Sequence, residues 1–93
     1  MLSRNPVDVK FNRELEKEAQ AVRLALIGEL DAINLYVQLA DSVKDERVRR
    51  VLLDIAEEEK VHVGELMELL KIIDPEQTRA LEKAAEEIKE LTG

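Results

Sequence analysis

The chain has no cysteine and no tryptophan. Without cysteine there is no disulfide framework, no thiolate zinc site and no thiol nucleophile. Aromatic residues stop at Phe11 and Tyr36, so bases or sugars find no stacking platform. Glycine, at 3, and proline, at 2, are too scarce for the turn chemistry of hairpins and sheets. No apolar run approaches membrane-spanning length, and the N-terminal MLSRNPVDVKFNRE lacks the apolar core of a signal peptide. A cytoplasmic location with no membrane partner is the expectation. Positive charge is short as well: 14 Lys and Arg against 21 Asp and Glu leave a net charge of −7. Nucleic acid, whose phosphates require a basic face, is therefore not an expected partner. The same acidic balance attracts cations, metal ions included, although solubility accounts for it equally well.

What the 93 residues do have is Glu, Lys, Leu and Ala with few helix breakers, the composition of an all-α protein. The length allows one domain, 1–93, with a core so small that oligomerisation is expected. Residues 1–11 read as an irregular arm with Asn5-Pro6 as a turn signal. Helix 1 is expected from about Asn12 to about Ala40. Asp41-Ser42-Val43-Lys44-Asp45 supplies capping and turn residues, and helix 2 follows from about Glu46 to about Ile73. In Asp74-Pro75-Glu76-Gln77 the Asp is an N-cap, the Pro a first helical residue and the Gln a capping-box partner. Helix 3 then runs to about Leu91, with Leu81, Ala84, Ala85, Ile88 and Leu91 as its apolar stripe.

On helix 1 the apolar seam reads Leu15, Ala19, Val22, Leu26, Glu29, Ile33, Tyr36, Ala40, and on helix 2 Val48, Leu52, Ile55, Glu59, His62, Leu66, Leu69, Ile73. Both alternate spacings of four and three, the pattern of helices in a bundle. The short connection makes the two helices antiparallel neighbours. Flanking Ala25, Ala32, Leu39, Ala56, Val63 and Leu70 are apolar too, more than two helices can cover. A second copy of the chain, giving a dimeric four-helix bundle, is the economical source of the missing surface.

Each seam is apolar except at Glu29, Glu59, His62 and the phenol of Tyr36. Glu29 lies 12 residues before Asp41 and Glu59 14 after Asp45, so at 1.5 Å per residue they stand roughly 18 and 21 Å from the same turn. His62, one turn beyond Glu59, shares its face. Of the three consecutive acids, Glu59 is on the seam, Glu58 on its flank and Glu57 outward, and Glu57, Glu58, Asp31 and Glu65 read as a solvated face. A dimer would gather two copies of Glu29, Glu59 and His62 in one layer, with no seam Lys or Arg to neutralise the carboxylates. Two divalent cations would cancel that charge, and carboxylate with imidazole suits iron, manganese or zinc. A Glu from one helix with Glu-x-x-His from its partner is the half-site of di-iron carboxylate bundles.

At these residues the chain resembles the encapsulated ferritins, short two-helix members of the ferritin-like superfamily that are cargo of encapsulin nanocompartments. The resemblance covers roughly Val7 to Leu91 and rests on Glu29, on Tyr36 seven residues later, and on Glu59-x-x-His62. It implies a ferroxidase centre at a dimer interface, with Glu29, Glu59 and His62 of each subunit as ligands to two iron ions and Tyr36 adjoining. It also implies a ring of five dimers, a decamer, that oxidises iron inside an encapsulin shell without storing it. Other divalent metals would substitute. Analogy with di-iron bundles makes Glu59 the bridging carboxylate, with Glu29 and His62 terminal. Family members often carry further acids near the first ligand to admit metal; here Gly28 precedes Glu29, leaving Asp31 and Glu58 as candidates for that role. The ending KELTG shows no shell-targeting extension, as expected either of a truncated tail or of a domain fused to its shell protein. Two other classes compete: a structural dimerisation or adaptor module whose polar layer sets register, and another dinuclear enzyme such as a manganese catalase or an iron-dependent oxidase.

Overall fold

A computed structural model of the protein describes residues 6–93, with side-chain surroundings from Glu14 onward. Three helices follow one another: α1 (Pro6–Ser42), α2 (Glu46–Ile73) and α3 (Pro75–Thr92). Among the described residues there is no strand, so the protein is all-α. The irregular arm expected over residues 1–11 is overturned from Pro6 onward, where α1 begins; residues 1–5 lie outside the described residues. The physical reason is that Pro6 occupies the first helical position. Its missing N–H costs nothing there and its fixed φ is already helical, so Asn5-Pro6 marks a helix start rather than a turn.

Three residues, 43–45, join α1 to α2 and force them antiparallel. Ser42 Oγ donates to the Leu39 carbonyl at 2.7 Å, and the Asp45 carboxylate accepts the backbone N–H of Arg47 at 2.8 Å and of Val48 at 3.3 Å. These bonds satisfy donors and acceptors that helix ends leave free. The second junction is a single residue. The Asp74 N–H donates to the Leu70 carbonyl at 2.8 Å, while its carboxylate accepts the Gln77 N–H at 3.3 Å and Arg23 Nη2 at 2.5 Å. Asp74 thus closes α2, caps α3 and ties both to α1.

The core consists of Ala19, Val22 and Leu26 on α1 and Leu70 on α2, with Val63, Leu66, Met67 and Ile73 packed around them. It fills the end of the hairpin remote from the connecting turn. On α2 the packing line differs from the expected seam. Ala56 and Leu70, assigned to its flank, are the most buried residues of α2, whereas Val48 and Leu69 are exposed, as is Leu15 on α1. A lone hairpin partner covers only one narrow line of each helix. That line on α2 is Leu52, Ala56, Glu59, Val63, Leu66, Leu70 and Ile73, again with alternating spacings of four and three. Val48, Ile55, His62 and Leu69 are left along its edge.

The uncovered surface is extensive. Leu24, Ile27, Leu30, Leu35, Val37 and Leu39 on α1, and Val51, Val61 and Ile72 on α2, are all exposed. Among the described residues the third helix packs on α2 and not on α1. Of its expected stripe only Leu81 is half-buried; Ala84, Ala85, Ile88 and Leu91 face outward.

Candidate metal centre

Just on the turn side of the core, the hairpin brings three polar side chains together. Glu29, Glu59 and His62 each present a ligand atom, and these atoms lie within 4.8 Å of one another. His62 Nδ1 is 2.9 Å from Glu29 Oε2 and 3.7 Å from Glu59 Oε1. The spacing follows from the helices: Glu59 and His62 are three residues apart on one face of α2, and antiparallel packing sets Glu29 opposite them. The side chain of Glu59 is 16% exposed, that of Glu29 26% and that of His62 50%, so the cluster is closed at its base and open at the imidazole. On α2 His62 lies on an edge line with Ile55 and Leu69, seven residues to either side.

Among the described residues no lysine or arginine enters the cluster. Among the described residues, the ion-pair partner of both glutamates is His62 alone. The half-buried Arg23 is held by Asp74 and Glu16, and Lys60 turns outward to Glu57. The electrostatics show the shortage of cations. Glu59 is raised above its ordinary 4.5 by its hydrogen bond with Glu29, then by desolvation and by the charges of Glu29 and Glu58, against an opposing effect of His62. His62 is raised above its ordinary 6.5, first by the hydrogen bond to Glu29, with the charges of Glu29, Glu59 and Glu65 adding and desolvation opposing. Glu59 holds its proton more tightly than a free carboxyl does, and the imidazole stands in for a cation. Two carboxylates and one imidazole nitrogen form the mixed oxygen and nitrogen donor set that suits a first-row transition metal.

One consequence is measurable without metal. Both groups bind their protons more tightly in the folded chain, so their stabilisation is complete below the unfolded values and fades as pH rises through the raised ones. Between about pH 6 and about pH 8 the titrating partner is His62, and the metal-free protein should melt at a lower temperature at the higher pH. A divalent cation should reverse the loss and His62→Ala should flatten the slope. A melting temperature that climbs over this range in chelator would refute the assignment.

The remaining residues singled out in the sequence lie outside the cluster. Tyr36 is half-buried on the same face of α1, and among the described residues no hydrogen bond joins it to the three. Asp31 is exposed. Glu58 is also exposed and acts on Glu59 through its charge. Glu65 is exposed, as expected of the solvated face, and its charge acts on His62. Its position three residues after the histidine is the signal that could have marked it.

Comparison with known proteins agrees with this layout. The family model described as Rubrerythrin matches residues 20–92. The chain is 54% identical over 95 residues to the ferritin-like-encapsulin shell fusion protein of Pyrococcus furiosus; the match takes in 100% of this chain and 28% of that protein. It is 35% identical over 75 residues to the encapsulin nanocompartment cargo protein EncC of Myxococcus xanthus, matching 81% of this chain and 58% of that one. The chain therefore spans only part of the length of both relatives. Among solved structures, the encapsulated ferritin domain from Pyrococcus furiosus superposes with a TM-score of 0.83 at 52% identity, over 100% of this chain and 97% of the other. With the family model spanning most of the chain and a solved domain matched along almost its whole length, the chain belongs to the rubrerythrin family of ferritin-like proteins, among the encapsulated ferritins.

Proposed function

We propose that the protein is a ferroxidase whose dinuclear site is completed by a second copy of the chain. The observation that carries this reading is the Glu29, Glu59 and His62 cluster, whose ligand atoms lie within 4.8 Å of one another, open on one side and, among the described residues, without a balancing lysine or arginine. One hairpin offers three ligand side chains, half of what a metal pair in a carboxylate bundle uses. Its open mouth is edged by apolar side chains that a monomer leaves in water. A twofold axis beside His62 would cover Val48, Ile55 and Leu69 and set two such clusters face to face. Four carboxylates then balance two divalent cations.

Iron in this reading is the substrate, giving one electron per ion to O₂ or peroxide. Two electrons and two protons convert O₂ to hydrogen peroxide, or hydrogen peroxide to water. The chain's own part is to place and neutralise. Glu59, the most covered of the three, is suited to bridge, and Glu29 and His62 to terminal positions. The proton held between His62 Nδ1 and Glu29 leaves when metal binds, because only the free nitrogen lone pair ligates. Apolar walls limit the water that reaches the site. Tyr36 adjoins the site on the same face, and Asp31 and Glu58 are exposed acids placed to attract incoming ions. The relatives' association with encapsulin suggests that the dimers assemble into a larger ring inside such a shell and deliver ferric iron to it.

The test combines mass with chemistry. Fe(II) is added anaerobically, the native mass is measured, air is admitted, and ferric absorbance is followed. The expected result is two iron ions per pair of chains and oxidation confined to dimers or larger assemblies. A fully active monomer would refute the shared site, and a dimer that binds no stoichiometric metal would make the polar layer a register device instead.

A further inference from the structure

The three ligand side chains account for only one nitrogen of the imidazole. Nδ1 faces Glu29 and Glu59, at 2.9 and 3.7 Å, and the side chain is half exposed, which leaves Nε2 for another partner. Among the described residues no hydrogen bond holds that nitrogen. A half-exposed ring held at one nitrogen alone can turn about χ2 once the Nδ1 proton leaves, and rotation would aim the wrong atom at the metal. Metal-bound histidines are usually held by a carboxylate or carbonyl that accepts the other ring N–H.

Two acids sit within a turn of His62 on its exposed side, Glu58 before it and Glu65 after it. Helix geometry distinguishes them. Side chains on a helix lean toward its N-terminus, so a residue covers the turn that precedes it. By this rule Glu65 is placed to reach back over His62 and Glu58 is not; among the described residues the exposed Glu65 carboxylate is not yet bonded to the ring. The charge interactions agree: Glu65 acts on His62, whereas Glu58 acts on Glu59.

We propose that Glu65 is a positioning residue: its carboxylate accepts the Nε2–H of His62 and holds the ring with Nδ1 turned to Glu29 and Glu59. The inference rests on the metal-site reading. It places three acidic side chains around one imidazole, two at Nδ1 and one at Nε2, with successive residues of α2 reaching back one turn each, Glu65 to His62 and His62 to Glu59. When a metal displaces the Nδ1 proton, the Nε2 proton stays on the ring and is donated to Glu65, which raises the basicity of the ligating nitrogen.

Because His62 is the only histidine, its ring can be read without ambiguity. Zinc, which is diamagnetic and redox-inert, is the probe. Zinc affinity is measured by calorimetry, and the ring nitrogens are followed by long-range proton–nitrogen correlation in ¹⁵N-histidine protein. The expected wild-type spectrum has Nδ1 ligated and an Nε2 proton exchanging slowly with water. In Glu65→Ala, zinc affinity should fall roughly 10- to 100-fold, the range for losing such a partner, and the Nε2 proton should exchange quickly or the ring bind through both nitrogens. Glu65→Gln keeps an acceptor oxygen without the charge and should stay within a few-fold of wild type. Wild-type zinc affinity and ring signals in Glu65→Ala would overturn the proposal. So would a Gln variant as weak as Ala, which would make Glu65 a general attractor of cations. Failure of the wild-type protein itself to bind zinc would overturn the metal-site reading and this inference with it.

Discussion

Glu59→Ala should abolish iron oxidation while leaving the hairpin folded. Loss of an outer partner of a metal ligand already costs 10- to 100-fold, so loss of the ligand itself should cost about 100-fold or more in initial ferroxidation rate. The variant should show a second, opposite effect. In the metal-free chain Glu59 is held against Glu29, which raises its pKa, and alanine removes that contact without opening the apolar core of Ala19, Val22, Leu26 and Leu70. Melting in chelator should therefore stay level or rise, while the stabilisation that metal gives the wild type should vanish. His62→Ala should lose oxidation equally but melt earlier in chelator at about pH 6, because the imidazolium is the counter-charge of the two acids. A structural polar layer predicts the reverse, with stability lost and no metal dependence. Iron oxidised by both variants at the parental rate would place the site elsewhere.

Leu69→Lys should separate the chains with every ligand in place. Leu69 lies seven residues beyond His62 on the same edge of α2 and is 43% exposed, so the single hairpin gains little from it. A lysine near the C-terminal end of a helix is also well tolerated. At a twofold interface the same change removes the apolar surface that two leucines leave exposed in the single chain, about 0.6–1.3 kcal/mol each, which weakens association by roughly 10- to 10²-fold before the added cost of burying two ammonium groups. Helical content should be unchanged, the native mass should fall to that of one chain, and ferroxidation should fall with it. Activity should return in part as protein concentration is raised, since mass action restores the pair. A monomeric variant with full activity would show that one cluster suffices, and an undisturbed dimer would put the interface on another face.

Much of this was readable along the chain because helical periodicity is a local property. The alternating four-three spacing placed Glu29, Glu59 and His62 on facing lines, and equal distances from the turn placed them at one height. The hairpin delivers both, with His62 Nδ1 2.9 Å from Glu29. Capping chemistry was equally local: Asp45 and Asp74 cap the helices that follow them. The Asn5-Pro6 pair misled because the same residues start helices as well as turns, and only continuation of the helical backbone through residues 6–13 distinguishes the two.

Helix type, hairpin topology and the identity of the polar triad are thus properties of residue order, since each depends on neighbours within a few turns or on distance from one short connection. The rotation of α2 about its axis is not. Choosing Ala56 and Leu70 over Val48 and Leu69 as the inward line is a matter of how closely two particular helices approach, and small side chains decide that only when the partner is in place. The same rotation leaves His62 half in water on an apolar edge. The tie from Asp74 to Arg23, 51 residues apart, likewise exists only once the helices have packed. Periodicity identified which side chains could ligate; packing decided which face of the site stays open.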